Sequence, residues 1–449
     1  MHKTLQDIMK KSFLLTALMA FSTTVTVMAQ SGTNSPYSQY GLGKIADQSI
    51  GMSRGMNGVG VAFRERNQVN YLNPASYSSI DSLTFVFDVG MSLQNTNFKE
   101  NGKSKNAKNG DFEYAVASFR ALKHLGMSFG ILPYTNVGYN YSANSSTIPN
   151  YTLTPSTQET TTVTNTYTGS GGLHQIFIGA GWEPFRNFSV GVNVNYLFGN
   201  ITNSISNSFS DQSINTQSKS YKTDVNAIKL DFGASHTIEL KNRNSLTVGL
   251  TFSPGYKVGA DWDYTVISKN VATADTTTYI ASNSVAIPTQ WGLGLAYKHA
   301  SKWLVGLDYV YQRWSSVESM EYVNKSTGKV LSDVKTDAFY DRHKVAMGGQ
   351  YCKNEYGRSF TDRLRYRFGL GYSSSYQKIN GKDGPDELSV SAGLGIPIMS
   401  KNNNRSKPMI NISLQWQRAA AKQMVTENTF LINIGLTFNE RWFDKWKFD

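Results

Sequence analysis

The fold is decided by a segment that reads LTFVFDVGMSLQ at residues 83–94. Apolar and polar side chains alternate along it, with Val86 as the one exception. The apolar set comprises Leu83, Phe85, Phe87, Val89, Met91 and Leu93, and the polar set comprises Thr84, Asp88, Gly90, Ser92 and Gln94. A period of two over about ten residues predicts a β-strand of the length that crosses a bilayer when tilted.

The same alternation recurs along the rest of the chain. It is clear at residues 188–199, 246–253, 291–298, 410–417 and 429–438. The polar face is mainly Gly, Ser, Thr, Asn and Gln, whereas the polar face of a soluble sandwich usually carries more Lys and Glu. The sequence therefore predicts an all-β fold, a transmembrane antiparallel β-barrel of about 14 strands, which is closed because an open edge in hydrocarbon leaves backbone groups unpaired.

The connections between these segments alternate between long and short. This alternation predicts long extracellular loops and short periplasmic turns, with both termini in the periplasm of an outer-membrane protein. The long connections, notably 140–170 and 200–220, are rich in Asn, Ser and Thr, and we expect surface loops of little fixed structure. Four tryptophans near segment ends are expected in the aromatic girdles, namely Trp182, Trp303, Trp314 and Trp416.

The two ends of the chain and its overall charge set further limits. Residues 1–29 have the charged start, short apolar stretch and small-residue end of a secretory signal peptide. The only cysteine is Cys352, which excludes an internal disulfide and an N-terminal lipid-modified cysteine. The net charge of +12 is scattered through turns and loops, so we interpret it as rims that face the outer-membrane lipids rather than as a nucleic-acid site.

Residues 30–80 lack the alternation and are rich in glycine. A segment of about fifty residues at the periplasmic end of such a barrel can fold into the lumen. We therefore predict a plug, or hatch, at 30–80, a barrel at 81–438 and a periplasmic tail at 439–449. The hatch contains the motif Asn73, Pro74 and Ala75, for which the alternative interpretation is an ordinary Asx-Pro turn.

The Asn-Pro-Ala motif after a Gly-rich N-terminus resembles the hatch of the FadL family of outer-membrane transporters of hydrophobic compounds. Two further stretches are similar to the same family, one running from 171 to 191 and one from 287 to 315. The resemblance implies that ligand enters from outside, meets the hatch, and leaves sideways through a gap beside a kinked third strand. The third segment here is 124–134, and it contains Gly126, Gly130 and Pro133. Proline lacks the ladder donor, so Pro133 either opens the wall or lies where the strand ends.

Several ionisable residues fall on the lumen side of their segments. These are Asp88, Lys229, Asp231, Asp308, Arg363, Arg365 and Arg367. A charge on the lipid side near mid-bilayer costs about 2–4 kcal/mol, which favours the lumen. We expect them to pair with one another and fix the plug rather than to bind a ligand, with the three arginines as the candidate site for an anionic headgroup.

Nothing in the sequence supports an enzyme. Residues 51–55 match the nucleophile-elbow pattern but lack its strand-turn-helix context, and the histidines show no metal-ligand spacing. The predicted function is passive uptake of hydrophobic, fatty-acid-like small molecules, with no cofactor and no metal. The alternative is a non-transporting adaptor or scaffold subunit of an outer-membrane secretion or protein-assembly complex. The tail favours such a protein partner through Arg441, Trp442, Phe443, Lys445, Trp446 and Phe448.

Overall fold

The computed structural model describes residues 32–149, 160–210, 214–269, 273–324, 330–335, 337–379, 381–398 and 408–441. The predicted signal peptide at 1–29 and the part of the tail beyond Arg441 lie outside these residues. Of the helices described, none has the length and apolar character needed to cross a membrane.

Fourteen antiparallel strands form one closed wall. They are β1 Thr84–Glu100, β2 Lys103–Leu122, β3 Leu125–Pro149, β4 Thr160–Phe185, β5 Phe188–Phe209, β6 Thr216–Glu239, β7 Asn244–Ser253, β8 Thr289–His299, β9 Trp303–Arg313, β10 Arg342–Cys352, β11 Arg365–Ser373, β12 Asp386–Pro397, β13 Met409–Ala420 and β14 Thr426–Arg441. The last strand pairs with the first from Thr84↔Arg441 to Lys99↔Thr426, which closes the barrel. The predicted fold class and strand number are confirmed.

The alternation read from the sequence corresponds to the two faces of the wall. Met91 and Leu93 are 47% and 52% exposed on the outside, whereas Asp88 and Ser92 are buried inside. Large apolar side chains cover the outer surface of the other strands in the same way. Period-two patterning therefore places hydrocarbon contacts outside and polar contacts in the lumen.

The two ends of the barrel differ in length. At one end, which we name the short-turn end, four connections between neighbouring strands have two to four residues. The other two are residues 353–364 between β10 and β11 and residues 398–408 between β12 and β13. At the other end, the long-loop end, β3 to β6 continue far beyond the girdle and run for 22 to 26 residues each. A bilayer crossing needs only about ten residues, so half of each strand projects from the membrane.

The expectation of loops with little fixed structure at 140–170 and 200–220 is therefore wrong for most of these residues. Most of them pair as strand, and Trp262–Lys269 and Ala274–Ala281 extend the same projecting sheet beside β6. Cross-strand contacts hold it, such as the stacked rings of Tyr141 and Tyr167 with centroids 4.9 Å apart. Threonine and tyrosine have high strand propensity, and a sheet with two wet faces lacks the alternation that marks a membrane strand.

Shorter elements complete the described chain. They are the 3-10 helices Pro36–Gln39, Gly51–Met56, Pro74–Ser79 and Trp314–Ser316, the α-helix Phe360–Arg363, and the short strands Lys44–Ile45, Tyr256–Lys257, Ala286–Ile287, Ser319–Asn324, Val330–Lys335, Lys378–Ile379 and Lys382–Asp383. The placement of Trp314 in a girdle is wrong, because its side chain is 1% exposed and packs on Phe339 and Tyr376 inside the long-loop end.

The N-terminal segment from residue 32 to residue 83 packs against the lumen face of the wall. Its helix Pro74–Ser79 lies on a row of four glycines that pair across β3 to β6, namely Gly126, Gly181, Gly191 and Gly233. A Cβ at Gly191 would overlap the backbone of Pro74 and Ala75. A second row, Gly306, Gly348 and Gly369, contacts Met56 and Phe63 in the same way. Small residues on the lumen face therefore let the segment's backbone approach the wall closely.

Candidate functional site: a gap in the barrel wall

The wall opens between β2 and β3. These strands pair from Leu122↔Leu125 up to Ala115↔Ile131, and the pairing stops there. Beyond that point, β2 pairs only with β1, and β3 pairs with β4 and a short strand of the N-terminal segment. The strands thus diverge about halfway along β2, which leaves a gap towards the long-loop end.

Pro133 lies where the strands diverge. The register of β3 on β4 shifts between Pro133 and Thr135, so Tyr134 forms a bulge. Past this bulge both faces of β3 are covered, since Thr135 and Val137 on one face are fully buried and Gly138 on the other is buried as well. A wall strand buried on both faces has bent into the lumen. The alternative that the strand ends at Pro133 is wrong, because β3 continues to Pro149.

The two glycines predicted beside Pro133 have other positions. Gly130 pairs with Val116 in the closed part of the wall, and a Cβ there would overlap the backbone of Ala115. Gly126 lies at the short-turn end, in the glycine row under the carbonyl of Tyr77. Of the three candidates, only Pro133 lies at the divergence of the two strands.

The start of the N-terminal segment fills the gap, and we name residues 32–46 the seal. Its strand Lys44–Ile45 pairs antiparallel with Asn136 and Thr135 of β3. The backbone N–H of Ala46 donates to the carbonyl oxygen of Tyr134 at 3.1 Å.

Further along the seal, the contacts reach the strands on both sides of the gap. The side chain of Ser38 bonds to the backbone of Gly138 on β3. The side chains of Asn34 and Gln94 join the seal to β2 and β1, through the carbonyl oxygens of Lys108 and Gly32. The seal therefore bridges the separated edges.

A buried ion pair lies directly behind the seal. The guanidinium of Arg54 is 2.9 Å from Glu113, which protrudes at a second bulge where the register of β1 on β2 shifts. Arg54 also donates to the carbonyl oxygen of Asp47, the residue that follows the seal. Burial alone would lower the pKa of Arg54, but the carboxylates of Glu113 and Asp47 hold that pKa above its ordinary value. The cation is thus fixed, and it ties the seal to β2.

An aromatic chamber lies above the gap at the long-loop end. Its cavity of about 420 Å³ is lined by Gln39, Tyr40, Gly41, Leu42, Tyr139, Asn203, Ile205, Tyr221, Trp262, Ser284, Val285, Ala286, Trp314, Val317, Glu318 and Phe339. One buried apolar cluster contains chamber residues such as Trp314 and also Tyr134, Val137 and Tyr139 of the bent strand. Packed apolar side chains therefore connect the chamber to the gap.

The motif Asn73, Pro74 and Ala75 starts the helix that lies on the glycine row. The side-chain oxygen of Asn73 accepts the N–H of Ala75 at 3.0 Å and caps the helix. Its amide donates to the carbonyl oxygen of Val61 at 2.7 Å and to that of Ala234 in the wall at 3.2 Å. The motif is an Asx-capped turn, as the alternative interpretation held, and it also anchors the N-terminal segment to the barrel.

Four of the predicted lumen charges, Asp88, Lys229, Asp231 and Asp308, have partners within the lumen. Asp308 accepts the backbone N–H groups of Gly60 and Val61 at 2.7 and 2.9 Å, Lys229 pairs with Asp231, and Asp88 accepts from Thr437 at 2.6 Å. The three arginines do not form one site. Arg363 lies on the short helix at the short-turn end and donates to the carbonyl oxygens of Gly357 and Arg358, and Arg365 pairs with Glu355 of the same turn.

Arg365 is the first residue of β11 and shares its inward face with Arg367, which lies deeper and donates to Gln350 and Asn411. Through these bonds Arg367 links β11 to β10 on one side and, past β12, to β13 on the other. No local pattern in the sequence points to the seal, to the bulge at Glu113 or to the contact of Phe339 with Tyr376 beside the chamber, because tertiary bending brings these residues together. Within the described residues, no group of three His, Cys, Asp or Glu side chains could hold a metal.

The fourteen-stranded barrel, with its N-terminal segment inside, has the fold of the FadL-like barrels. The chain belongs to the BamG family, whose model matches residues 9–449. No curated protein matches the chain.

Solved structures share the fold at low identity. The toluene transporter TbuX of Ralstonia pickettii matches with a TM-score of 0.61 and 16% identity, over 88% of this chain and 99% of that one. A Pseudomonas aeruginosa FadL homologue gives 0.60 and 12%, over 88% and 99%. The toluene transporter TodX of P. putida gives 0.60 and 13%, over 89% and 100%. These likenesses establish the fold, including the predicted resemblance to FadL.

Proposed function

We propose that this barrel lets small hydrophobic molecules cross the outer leaflet passively, entering at the aromatic chamber and leaving sideways through the gap between β2 and β3. The observation that carries the proposal is the buried apolar cluster that joins Trp314 in the chamber to Tyr134 and Val137 at the gap. The solved barrels of the same fold include two transporters of toluene by name. The short-turn end, with both termini, faces the periplasm in this proposal.

The direction of travel follows from polarity. Deeper in the lumen, a second cavity is lined by charged groups that include Asp47, Arg54, Glu113, Arg342 and Lys344. Moving an apolar molecule past buried charges is unfavourable, because it removes their polar partners without replacing them. The sideways exit into lipid avoids that region, so the lower lumen and the helix Pro74–Ser79 serve as a fixed floor.

The seal is the part that has to move. It is held on β3 by the short strand Lys44–Ile45 and by Ala46, and a backbone hydrogen bond contributes about 0.5–1.5 kcal/mol net. Unpairing residues 44–46 from β3 therefore costs a few kcal/mol, which thermal motion can supply without an energy source. In this mechanism Pro133 keeps the wall open, while Asn73 and the lumen charges hold the rest of the hatch in place.

The test is uptake of the apolar fluorophore N-phenyl-1-naphthylamine by intact diderm cells. Cells that express the barrel should take up the probe several-fold faster than cells without it. A Val137→Arg variant should remove that gain, since a charge would then lie in the apolar path. A matched Val194→Arg variant on the outer face of β5 controls for general damage to the barrel and should keep the gain in uptake. Equal uptake with and without the barrel would reject the proposal.

A second candidate function is that of an adaptor or scaffold barrel in an outer-membrane protein-assembly or secretion complex. The observation that favours it is the close fit of the N-terminal segment, which lies on two rows of wall glycines and is bonded across the gap. A barrel filled in this way suits a rigid subunit as well as a channel. Native mass spectrometry after gentle extraction separates the two, because a scaffold would leave the membrane in a defined larger assembly.

A further inference from the structure

The short-turn end carries a surplus of positive charge. Each carboxylate whose side chain the structure describes at this end is already in an ion pair, as Glu65–Lys298, Asp81–Arg66, Glu183–Arg64, Glu239–Arg186, Glu355–Arg365 and Asp362–Lys353. Seven further cations at this end have no such partner among the described side chains, and they are Arg120, Lys123, Lys241, Arg243, Lys302, Arg358 and Arg363. Five of the seven are exposed.

The long-loop end differs, because its cations are mixed with acids. Its ion pairs include Lys222–Asp224, Lys257–Glu318 and Lys378–Asp337. Further acids such as Asp261 and Asp263 lie in the same projecting sheet and its connections. The surplus at the short-turn end is therefore a local feature of that rim and does not simply repeat the net charge of the chain.

Large apolar side chains are exposed beside the surplus cations. Leu122 is 67% exposed next to Lys123, and Leu240 is 47% exposed next to Lys241. The same arrangement holds for Trp303 next to Lys302 and for Phe360 two residues from Arg358. A cation and an apolar group side by side on a turn match the boundary between headgroups and acyl chains, where each group finds its own environment.

Three of these turns form one continuous surface. The N–H of Ala300 donates to the carbonyl oxygen of Arg243 at 2.8 Å, and the N–H of Cys352 donates to that of Lys302 at 2.8 Å. Adjacent to them, the rings of Trp303 and Tyr351 pack with centroids 4.6 Å apart, at the level where the membrane strands end. We name Lys241, Arg243, Lys302 and Arg358, with Leu240, Trp303 and Phe360, the basic arc.

We infer that the basic arc binds the phosphate of anionic phospholipids, of the phosphatidylglycerol type, in the leaflet that meets the short-turn end. The cations supply charge complementarity to the phosphodiester, and the exposed apolar side chains next to them contact the upper acyl chains. An acidic protein would match the cations, but it would not account for an apolar neighbour at each turn. The proposed function places the short-turn end of the barrel in the periplasm, and in that orientation this leaflet is the periplasmic one.

The test is native mass spectrometry of the full-length barrel, stripped of lipid in detergent and then offered equal amounts of phosphatidylglycerol and phosphatidylethanolamine. The wild-type protein should retain phosphatidylglycerol about tenfold more. The variant Lys241→Gln, Arg243→Gln, Lys302→Gln should lose most of that preference. Its control is Lys99→Gln, Lys103→Gln, Lys105→Gln, which removes the same charge from the long-loop end and should leave the preference intact.

A second variant tests the apolar half of the arc. Trp303→Ala keeps every charge and should still reduce retention of phosphatidylglycerol several-fold. Heat-modifiable migration on gels verifies that each variant is a folded barrel. An equal loss in both charge variants, or no preference in the wild type, would overturn the inference. The inference would also be overturned if the arc variant kept its lipid preference but lost a co-purifying acidic protein. That result would make the arc a protein interface. None of these readouts depends on passage of a molecule through the gap.

Discussion

The backbone N–H of Ala46 donates to the carbonyl oxygen of Tyr134, the bulged residue of the third wall strand, at 3.1 Å. This bond, with the pairing of Ile45 on Thr135 and Lys44 on Asn136, makes the N-terminal segment part of the barrel wall. The wall is therefore complete only while the seal is in place, and the proposed route requires the seal to leave.

A disulfide across the seal should stop passage. Ile45 and Thr135 are opposite each other in the pairing, so Ile45→Cys with Thr135→Cys, in a chain whose Cys352 is replaced by Ala, can link the seal to β3. Oxidised cells should take up the apolar probe at the rate of cells without the barrel, and a reductant should restore uptake.

The control for this lock is a pair in the permanently closed part of the wall. Thr96 and Thr429 face each other between β1 and β14, and Thr96→Cys with Thr429→Cys should leave uptake unchanged in either redox state. Full uptake through the oxidised seal variant would show that molecules do not pass beside β3.

Replacing Pro133 should narrow the gap. Pro133→Ala restores a backbone donor and removes the ring that prevents regular pairing, so β2 and β3 should pair beyond Ala115↔Ile131. Hydrogen exchange by mass spectrometry should then slow at residues 111–114 of β2. Pro184→Ala, near the short-turn end of β4, is the matched substitution and should not change hydrogen exchange at residues 111–114. Unchanged exchange in Pro133→Ala would mean that the bulge itself sets the gap.

A methyl group on the glycine row should push the N-terminal segment away from the wall. Gly191→Ala would overlap the backbone of Pro74 and Ala75, and overpacking of this kind costs about 1–3 kcal/mol. We expect a lower thermal midpoint in detergent and faster proteolysis of the segment. Gly110→Ala is the control, because its Cβ would meet only the end of the Leu93 side chain at 3.2 Å. Equal behaviour of the two variants would contradict tight docking.

The buried pair of Lys229 and Asp231 should depend on both partners. Lys229→Met leaves the Asp231 carboxylate without its cation, and breaking a buried pair in this way costs about 3–5 kcal/mol. The double change Lys229→Met with Asp231→Asn should recover much of that loss, since no unpaired charge remains. Thermal unfolding of the wild type, both single variants and the double variant measures the coupling. Additive losses would show that the pair does not act as a unit.

Much of the architecture could be predicted from local pattern. In a bilayer, the alternation at residues 83–94 predicts a strand of a closed barrel, because lipid selects apolar groups on one face and the backbone hydrogen bonds must all be paired. The predictions for 140–170, 200–220 and Trp314 were wrong because these residues do not face lipid. The projecting halves of β3 to β6 have water on both faces, and Trp314 is buried by loops that return over the mouth.

The candidate site was predicted only in part. The sequence pointed to Pro133 because a missing donor is visible in one residue, and to Asn73 because an Asx cap is a local bond. It grouped Arg363, Arg365 and Arg367 by parity, although Arg363 lies on a short helix at the rim and Arg365 pairs with Glu355 at the start of β11. Parity holds only within a strand, and the sequence does not show that β11 begins after Arg363.

The sequence by itself determined a closed barrel of about fourteen strands, its lipid-facing side chains and its polar lumen, because each follows from period-two patterning in a bilayer. Only the tertiary structure decided where the wall opens and what closes it. The pairing of Lys44 and Ile45 with β3, and the approach of Arg54 to Glu113, join residues that are far apart in the chain. Such contacts depend on strand register and on two bulges, which arise from the packing of the whole barrel and not from any local pattern of residues.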